Sequence, residues 1–352
     1  MKIPSQLLRV LASLGVAAGL LWALIAWGGV EPSDIVDTLK GLTLLQLLAA
    51  LSVHAGIYLL RAWRFSILMP AEVRPSYGRV LAASSAHNLA AYVLPLKSGE
   101  GTFILYTAGV AEVPARSSMA SLLVSRLLDL IVLCAVMVLV TWLAPLLSAG
   151  MPGEALGESP ARVAGLISRM FTVGGVFLVV GLLAAWVCVR RSGFAALIAR
   201  LLRLLHIEST ALGAKLVAFI GRFSEALDEA GARGGMWRAS FVSVALWCGV
   251  ISFYAVLFPA FGWPEGQMIV VPAVLAAGFA TLANLLPVNG FAGFGTQEGG
   301  WVVGMSLWGV DPELALAIGV SAHLVQLGNV VLFGLLGHLG MALLPKAPGA
   351  ES

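Results

Sequence analysis

Long apolar runs separated by short polar stretches dominate this chain. A helix needs about 20 apolar residues to cross a membrane core of about 30 Å. Runs of sufficient length predict six crossings, with approximate bounds at 8–29, 42–62, 117–147, 166–189, 239–261 and 314–344. The pattern therefore predicts an all-α polytopic membrane protein.

Two further apolar regions, 80–112 and 269–310, are interrupted by Pro and Gly. The first contains "HNLAAYVLPLKSGEG" and the second "ANLLPVNGFAGFGTQEGG". Each half of such a region is too short to cross the bilayer alone. We therefore expect two re-entrant helical hairpins in addition to the six full transmembrane helices.

The order of helix, helix, hairpin and helix occurs twice along the chain. Because each half has three full crossings, the second half must enter the membrane from the opposite side. The hairpin 80–112 would then dip in from the cytoplasm and 269–310 from the outside, as in an inverted repeat. The predicted divisions are a first repeat at 1–148, an external loop at 149–165, a second repeat at 166–344 and a cytoplasmic tail at 345–352.

A segment at 190–238 interrupts the second repeat with apolar residues at helical spacing beside Arg and Lys. It predicts one or two amphipathic helices on the cytoplasmic leaflet. A solvated linker that packs on the bundle is the alternative.

Composition and charge agree with a membrane location. Hydrophobic residues make up 59% of the chain, charged residues 11%, and the mean hydropathy is +0.95. Short cytoplasmic loops collect most Lys and Arg in membrane proteins. Under the predicted arrangement the external side receives only Lys40, Arg162 and Arg169, which places both termini in the cytoplasm.

The two predicted hairpin tips hold most of the candidate binding residues. A half-helix that begins inside the membrane presents free N–H groups and a positive dipole end, which favour an anion. Lys97 would add a full positive charge, whereas the carboxylates could cap a helix, pair with a cation or bind a proton. The candidates are Asn88, Pro95, Lys97, Ser98, Gly99 and Glu100 in the first tip, and Asn284, Pro287, Asn289, Gly293, Gly295 and Glu298 in the second.

Charged and polar residues inside the long helices are further candidates, because intramembrane charges are costly and usually face the bundle interior in pairs. Arg126 and Asp129 lie one turn apart, and we expect Arg126 to pair with Glu100. His323 and Gln326 form a polar stripe that either bonds neighbouring helices or contacts substrate.

Arg61 and Arg64 lie near the predicted cytoplasmic end of the second helix. There they would anchor the helix or recruit an anionic headgroup.

Motifs of common membrane enzymes and pumps are missing from the sequence. It contains no Walker loop, no G-x-S-x-G turn, no H-E-x-x-H and no convincing metal-ligand spacing. We therefore expect neither an enzyme nor a cofactor or metal requirement.

Four pieces of the chain resemble the lysylphosphatidylglycerol synthase transmembrane-domain family. They are "RAWRFSIL", "SGEG", "SRLLD" and "LPVNGFAGFGTQE", and the resemblance covers nearly the whole chain. It implies a bundle with two inverted re-entrant units that moves lipids or polyprenyl-linked lipids. Lys97 stands where the family often has Arg, which gives some weight to a more apolar lipid.

The leading hypothesis is a lipid flippase or transporter of a bacterial inner membrane that is not driven by ATP. A membrane lipid would be its substrate, with possible coupling to a proton or ion, and nucleic acid is not an expected partner. Alternatives are a non-catalytic accessory subunit of a lipid-modifying enzyme and an ion-coupled transporter of a small solute. A homo-oligomer or a complex with such an enzyme fits the same sequence.

Overall fold

The computed structural model describes residues 32–69, 75–94, 99–147, 235–285 and 291–344, together with isolated helical positions between 22 and 221. Within these ranges the elements are helical and no strand occurs. The predicted crossings 8–29 and 166–189 lie almost wholly outside the described residues, as do most of the insert at 190–238, the external loop and the tail. The last four residues of the predicted insert, 235–238, are the first turn of a helix instead.

The helices follow the apolar runs of the sequence closely. Two short 3-10 helices, Phe258–Phe261 and Phe291–Gly293, connect some of them. The α-helices are α1 (Pro32–Lys40), α2 (Leu44–Leu68), α3 (Tyr77–Val93), α4 (Thr102–Ala111), α5 (Ala115–Leu147), α6 (Gly235–Leu257), α7 (Val270–Asn284), α8 (Thr296–Ser306) and α9 (Pro312–Leu343).

Four helical segments are long and apolar enough to cross a membrane. They run Leu44–Leu68, Ala115–Leu143, Gly235–Phe261 and Pro312–Leu343, and they match four of the six predicted crossings. Side-chain caps fix where two of them begin. Thr43 and Gln46 form a reciprocal capping box before α2, and Asp311 accepts the N–H group of Glu313 at 2.9 Å before α9. The chain is therefore membrane-embedded.

The two interrupted regions each form a pair of short helices. In the first region α3 has 17 residues and α4 has 10, and in the second α7 has 15 and α8 has 11. At 1.5 Å per residue, a helix of 10 residues extends only about 15 Å, or about half of the hydrocarbon core. The members of each pair pack against each other, as the sequence led us to expect.

Glycines bring α7 and α8 into backbone contact. A Cβ atom on Gly300 would lie 2.4 Å from the carbonyl oxygen of Phe279, and one on Gly304 would lie 2.4 Å from that of Leu275. From Gly300 to Gly304 the residue number rises by four, whereas from Phe279 to Leu275, the residues that they contact, it falls by four. The two helices are therefore antiparallel. Small residues at this spacing are a common means of close helix packing in membranes.

The two halves of the chain pack through matched elements. Helix α2 contacts α6, while α3 contacts α9 and α5 contacts α7. In the first of these contacts Gly249 packs on Ile57, and Ser243 bonds to Arg64. The order along α6 is therefore the reverse of that along α2, and these two helices are antiparallel.

Helix α1 was not among the predicted elements. It packs against α9 and the Phe258–Phe261 turn, and a Cβ atom on Gly41 would lie 2.6 Å from the carbonyl oxygen of Ala260. Its polar residues, which include the exposed pair Asp37 and Lys40, gave it the composition of a loop. The structure makes it a short amphipathic helix over the end of the second half.

We expect Gly304→Ala to lower the free energy of unfolding by about 1–3 kcal/mol, because the added methyl group would push α8 away from the α7 backbone. Gly299→Ala in the same helix is the matched control, since a Cβ atom there meets open space. Unfolding in detergent micelles, followed by circular dichroism, measures both. Equal stability of the two variants would contradict the proposed packing role.

Candidate functional site

A buried ion pair lies where α2, α5 and α6 meet. Both terminal nitrogens of Arg64 donate to the carboxylate of Asp129, with Nη2 at 2.9 Å from Oδ2. Arg64 Nη1 also donates to Ser243 Oγ at 2.8 Å, and the Arg64 side chain is only 1% exposed. A forked guanidinium–carboxylate pair of this kind is directional and joins both halves of the chain.

This placement corrects one expectation. Arg64 was predicted to anchor α2 at the membrane surface or to recruit a headgroup there. Its guanidinium lies inside the protein against Asp129 instead. The acidic partner lies far along the chain on another helix, so the local "RAWRF" pattern could not distinguish an interior arginine from a surface one.

Arg61 lies one turn before Arg64 and has a different environment. Its Nη1 donates to Oδ1 of Asn88, and Asn88 Nδ2 donates to the hydroxyl of Tyr58 at 2.6 Å. The Arg61 guanidinium also lies 5.7 Å from the centre of the Tyr58 ring. Within the described ranges Arg61 forms no direct salt bridge, although the carboxylate of Asp129, which is bonded to Arg64, is close enough to attract it.

The predicted pair between Glu100 and Arg126 is present. Arg126 Nη2 donates to both carboxylate oxygens of Glu100, at 2.8 and 3.0 Å. His87 Nε2 lies 3.8 Å from the same carboxylate. The side chains of Arg126 and Glu100 are 48% and 35% exposed, so this pair faces an open side of the bundle whereas Arg64 does not.

Glu298 and His323 form the corresponding cluster of the second half. His323 Nδ1 lies 2.5 Å from Glu298 Oε1, and both side chains are fully buried. Glu298 Oε2 accepts the N–H group of Gly295 at 2.7 Å and so caps α8, one of the roles predicted for it. The other nitrogen of His323 lies 3.1 Å from the carbonyl oxygen of Ala292.

The residues before α8 form a tight turn. Ala292 has φ 55°, and Gly293 and Gly295 have φ 86° and 83°. Glycine adopts such a left-handed conformation without steric cost, whereas alanine does not. His323 therefore binds the strained residue of this turn, which we call the second tip (Phe291–Gly295).

Gln326 joins the second tip region to the first half. Its Oε1 accepts from Tyr254 OH at 2.9 Å and from Gln297 Nε2 at 3.3 Å. Its Nε2 donates to Tyr92 OH at the end of α3. Asn284 Nδ2 in turn donates to Gln297 Oε1 at 3.1 Å, so a continuous hydrogen-bonded chain crosses between the halves.

Three tyrosines were missed as site residues from the sequence. Tyr58, Tyr92 and Tyr254 each stand alone in an apolar run, which reads as ordinary membrane-helix composition. A buried phenol nevertheless needs a hydrogen-bond partner. Isolated tyrosines within predicted apolar segments were therefore the available signal.

The structure brings most of the predicted residues that it describes into two clusters. The first cluster consists of Arg61, Arg64, Asn88, Glu100, Arg126 and Asp129, and the second is centred on Glu298 and His323. Gly99 lies beside the first cluster, and a Cβ atom there would lie 2.3 Å from the carbonyl oxygen of Ala90, so its part is close backbone packing. The remaining predicted tip residues lie outside the described ranges. These are Pro95, Lys97, Ser98, Pro287 and Asn289.

Comparison with known proteins identifies related sequences. A family model described as "Lysylphosphatidylglycerol synthase TM region" matches residues 10–334. A curated protein of Haloferax volcanii, "Glycosyltransferase AglD", is 25% identical over 340 residues, which cover 90% of this chain and 53% of that protein. The chain thus spans about half the length of this relative. No solved structure gives a significant match.

We expect Asp129→Ala to lower the free energy of unfolding by about 3–5 kcal/mol, because it leaves the buried Arg64 charge without its partner. The double variant Arg64→Met/Asp129→Leu should recover most of that loss, since neither charge then remains buried. Chemical denaturation of the purified protein in micelles compares the two. A double variant as unstable as the single one would show that the ion pair is not the source of the loss.

Proposed function

The chain belongs to the lysylphosphatidylglycerol synthase TM-region family, and on that premise we propose that it moves a phosphate-bearing membrane lipid between leaflets without ATP. The lipid is a phospholipid or a polyprenyl-linked lipid. Its headgroup would pass through the polar centre of the bundle while its tails stay in the bilayer. The protein would act as a transporter rather than an enzyme, in a bacterial inner membrane with both termini cytoplasmic.

The excess of arginine over carboxylate in the first cluster carries this proposal. Among the described residues, three guanidinium groups and two carboxylates lie in this part of the bundle, and the pairs Arg64–Asp129 and Arg126–Glu100 engage both carboxylates directly. Arg61 is left with the amide of Asn88. An intramembrane positive charge in excess of the available carboxylates is costly and marks a functional site. A lipid phosphate would supply the missing negative charge, because guanidinium binds phosphate through two parallel hydrogen bonds.

The Glu100 and Arg126 pair is suited to control access to Arg61. It is the exposed pair of the first cluster, while Arg61 is partly buried and bonds to Asn88. An arriving phosphate can compete with Glu100 for Arg126, since both are oxyanions that accept from the same guanidinium. In this scheme the headgroup first meets Arg126 and then Arg61.

An inverted repeat provides the matching half of the pathway. The antiparallel contact of α2 with α6 supports it, because equivalent helices run in opposite directions in such repeats. The ionisable pairs also correspond. Glu100 and Arg126 are 26 residues apart, Glu298 and His323 are 25 apart, and both partners stand on the helix that follows the hairpin.

A second candidate is an accessory membrane part of a lipid-modifying enzyme. It is favoured by the Haloferax volcanii relative, which is named a glycosyltransferase and is about twice as long as this chain. In that case the polar centre would hold a lipid for a partner enzyme. The requirement for a partner distinguishes the two candidates.

Labelling of single cysteines in a cysteine-free background tests the topology. We expect Ser76→Cys and Glu112→Cys, which flank α3 and α4, to react with a membrane-impermeant maleimide from one side. Glu265→Cys and Asp311→Cys, which flank α7 and α8, should react from the other. All four positions are exposed. Opposite labelling of Ser76 and Glu112 would show that the first hairpin is a true crossing and would overturn the inverted repeat.

A liposome assay tests the transport function. We expect the purified protein to accelerate the flipping of a fluorescent anionic phospholipid, measured by chemical quenching of the outer leaflet. Arg61→Gln should slow it about tenfold or more, because a charged hydrogen bond to phosphate contributes about 1.5–3 kcal/mol.

Arg238→Gln is the control, since Arg238 is an exposed cation on α6 away from the cluster. Equal rates for Arg61→Gln and the unaltered protein would contradict the phosphate role of Arg61. A folded protein that moves neither phospholipid nor polyprenyl phosphate would contradict the proposed transport function. Activity that appears only with an added glycosyltransferase partner would favour the second candidate.

A further inference from the structure

Glu298 and His323 are the most deeply buried ionisable pair in the described part of the chain, since both side chains are 0% exposed. The transport scheme above makes no use of them. They stand on α8 and α9 and close the second tip against the last helix.

The hydrogen bonds around the pair require a proton between its two members. The carbonyl oxygen of Ala292 only accepts, so the nitrogen of His323 that faces it at 3.1 Å must carry a hydrogen. The second carboxylate oxygen of Glu298 already accepts the Gly295 N–H group. What remains is the contact of 2.5 Å between Nδ1 and Oε1, which is a hydrogen bond only if one further proton lies on one of these atoms.

The surroundings stabilise this proton-loaded state. The N-terminal end of α8 favours a negative Glu298. Phe294 stacks on the His323 ring with centroids 4.4 Å apart, and an aromatic face attracts a cation. The loaded pair has no net charge, which suits its burial.

Few other titratable groups lie around the pair. Tyr254 of α6 and Tyr92 of α3 both bond to Gln326, one turn from His323. On α2, His54 lies against Phe333 of α9. Helix α1 contributes the exposed Asp37 and Lys40, and α7 carries no titratable side chain. Within the described ranges, no Lys or Arg forms a salt bridge with Glu298, and no second carboxylate forms one with His323.

Loss of the proton would free the second tip. A neutral imidazole carries one hydrogen, so it can donate to Glu298 or to Ala292 but not to both. In either case two electron-rich atoms would face each other in a buried site. The bond to Ala292 is the weaker tie, because this residue is held in a left-handed conformation at φ 55°.

The carboxylate of the first cluster has a different hydrogen-bond partner. Glu100 accepts from Arg126, and a guanidinium does not release its proton in proteins. The imidazole of His87 stands 3.8 Å from Glu100, beyond hydrogen-bond distance, whereas that of His323 lies 2.5 Å from Glu298. Among the described residues, Glu298 and His323 are therefore the carboxylate and imidazole whose contact requires a shared proton.

We propose that Glu298 and His323 bind the coupling proton of the transport cycle. With the proton bound, the second tip is closed on α9, and its release allows the tip to move. This names the coupling ion for the lipid movement proposed above and rests on that function for its cargo.

Glu298→Gln is the decisive variant. Its amide oxygen can accept the Gly295 N–H group, and its amide nitrogen can donate to Nδ1 of His323. All the hydrogen bonds of the loaded state are thus retained without a proton to release. Glu100→Gln is the matched control, because it makes the same change beside a permanently charged arginine.

Hydrogen–deuterium exchange of the tip peptide 291–297 reports on proton release without any lipid substrate. As the pH is raised from mildly acidic to mildly alkaline, and after correction for the intrinsic rate, we expect exchange to rise several-fold in the unaltered protein and in Glu100→Gln. In Glu298→Gln it should stay low across this range. Equal pH dependence in all three proteins would overturn the proposal.

Lipid movement under an imposed pH gradient tests the coupling itself. We expect the ratio of rates with and without the gradient to be several-fold above one in the unaltered protein and close to one in Glu298→Gln. A ratio of one in an active unaltered protein would overturn the coupling role. If no lipid moves at all, the transport function fails, and the exchange experiment alone then supports or overturns the proton site.

Discussion

The forked bond between Arg64 and Asp129 is the interaction on which the rest of the polar interior depends. It ties α2 of the first half to α5, and through Ser243 it also reaches α6 of the second half. Hydrocarbon offers no substitute partner for either charge, so these three helices are held in one relative position. Arg61, one turn away on α2, bonds to Asn88, and the exposed pair of Glu100 and Arg126 belongs to the same group of charges.

Broken helices impose a second constraint, because each break frees backbone groups that lipid cannot satisfy. In the second half the chain meets this need with side chains. Glu298 accepts the N–H group of Gly295, and His323 lies against the carbonyl oxygen of Ala292. Glu298 and His323, the ionisable residues of this tip, thus also stabilise the helix break. The same two side chains therefore carry both the stabilising contacts of this tip and the proton-binding role proposed for it.

The sequence was sufficient for four of the six predicted crossings, the helix breaks in the two interrupted regions and the Glu100–Arg126 pair. The length of the apolar runs predicts the crossings, and Pro and Gly predict the breaks in the interrupted regions. The cost of a lone intramembrane charge predicts the ion pair. It was insufficient where a partner lies far along the chain. The sequence around Arg64 does not predict its partner Asp129. The sequence around Tyr92 does not predict its hydrogen bond to Gln326, which is 234 residues away. Helix α1 was missed for another reason: its polar residues resemble a loop until the surface that covers it is known.

The unlike partners of Glu100 and Glu298 have a thermodynamic consequence. A carrier that is not coupled to an ion can only let its cargo equilibrate, whether or not its two gates are alike. Here Glu100 bonds to a guanidinium of fixed charge and Glu298 to an imidazole, and in the proposed cycle the second of these would take up and release the coupling proton. Even so, the protein stores no energy of its own, and every step remains reversible. The direction of net lipid movement would therefore be set by the lipid and proton gradients across the membrane. Reversing those gradients would reverse the movement.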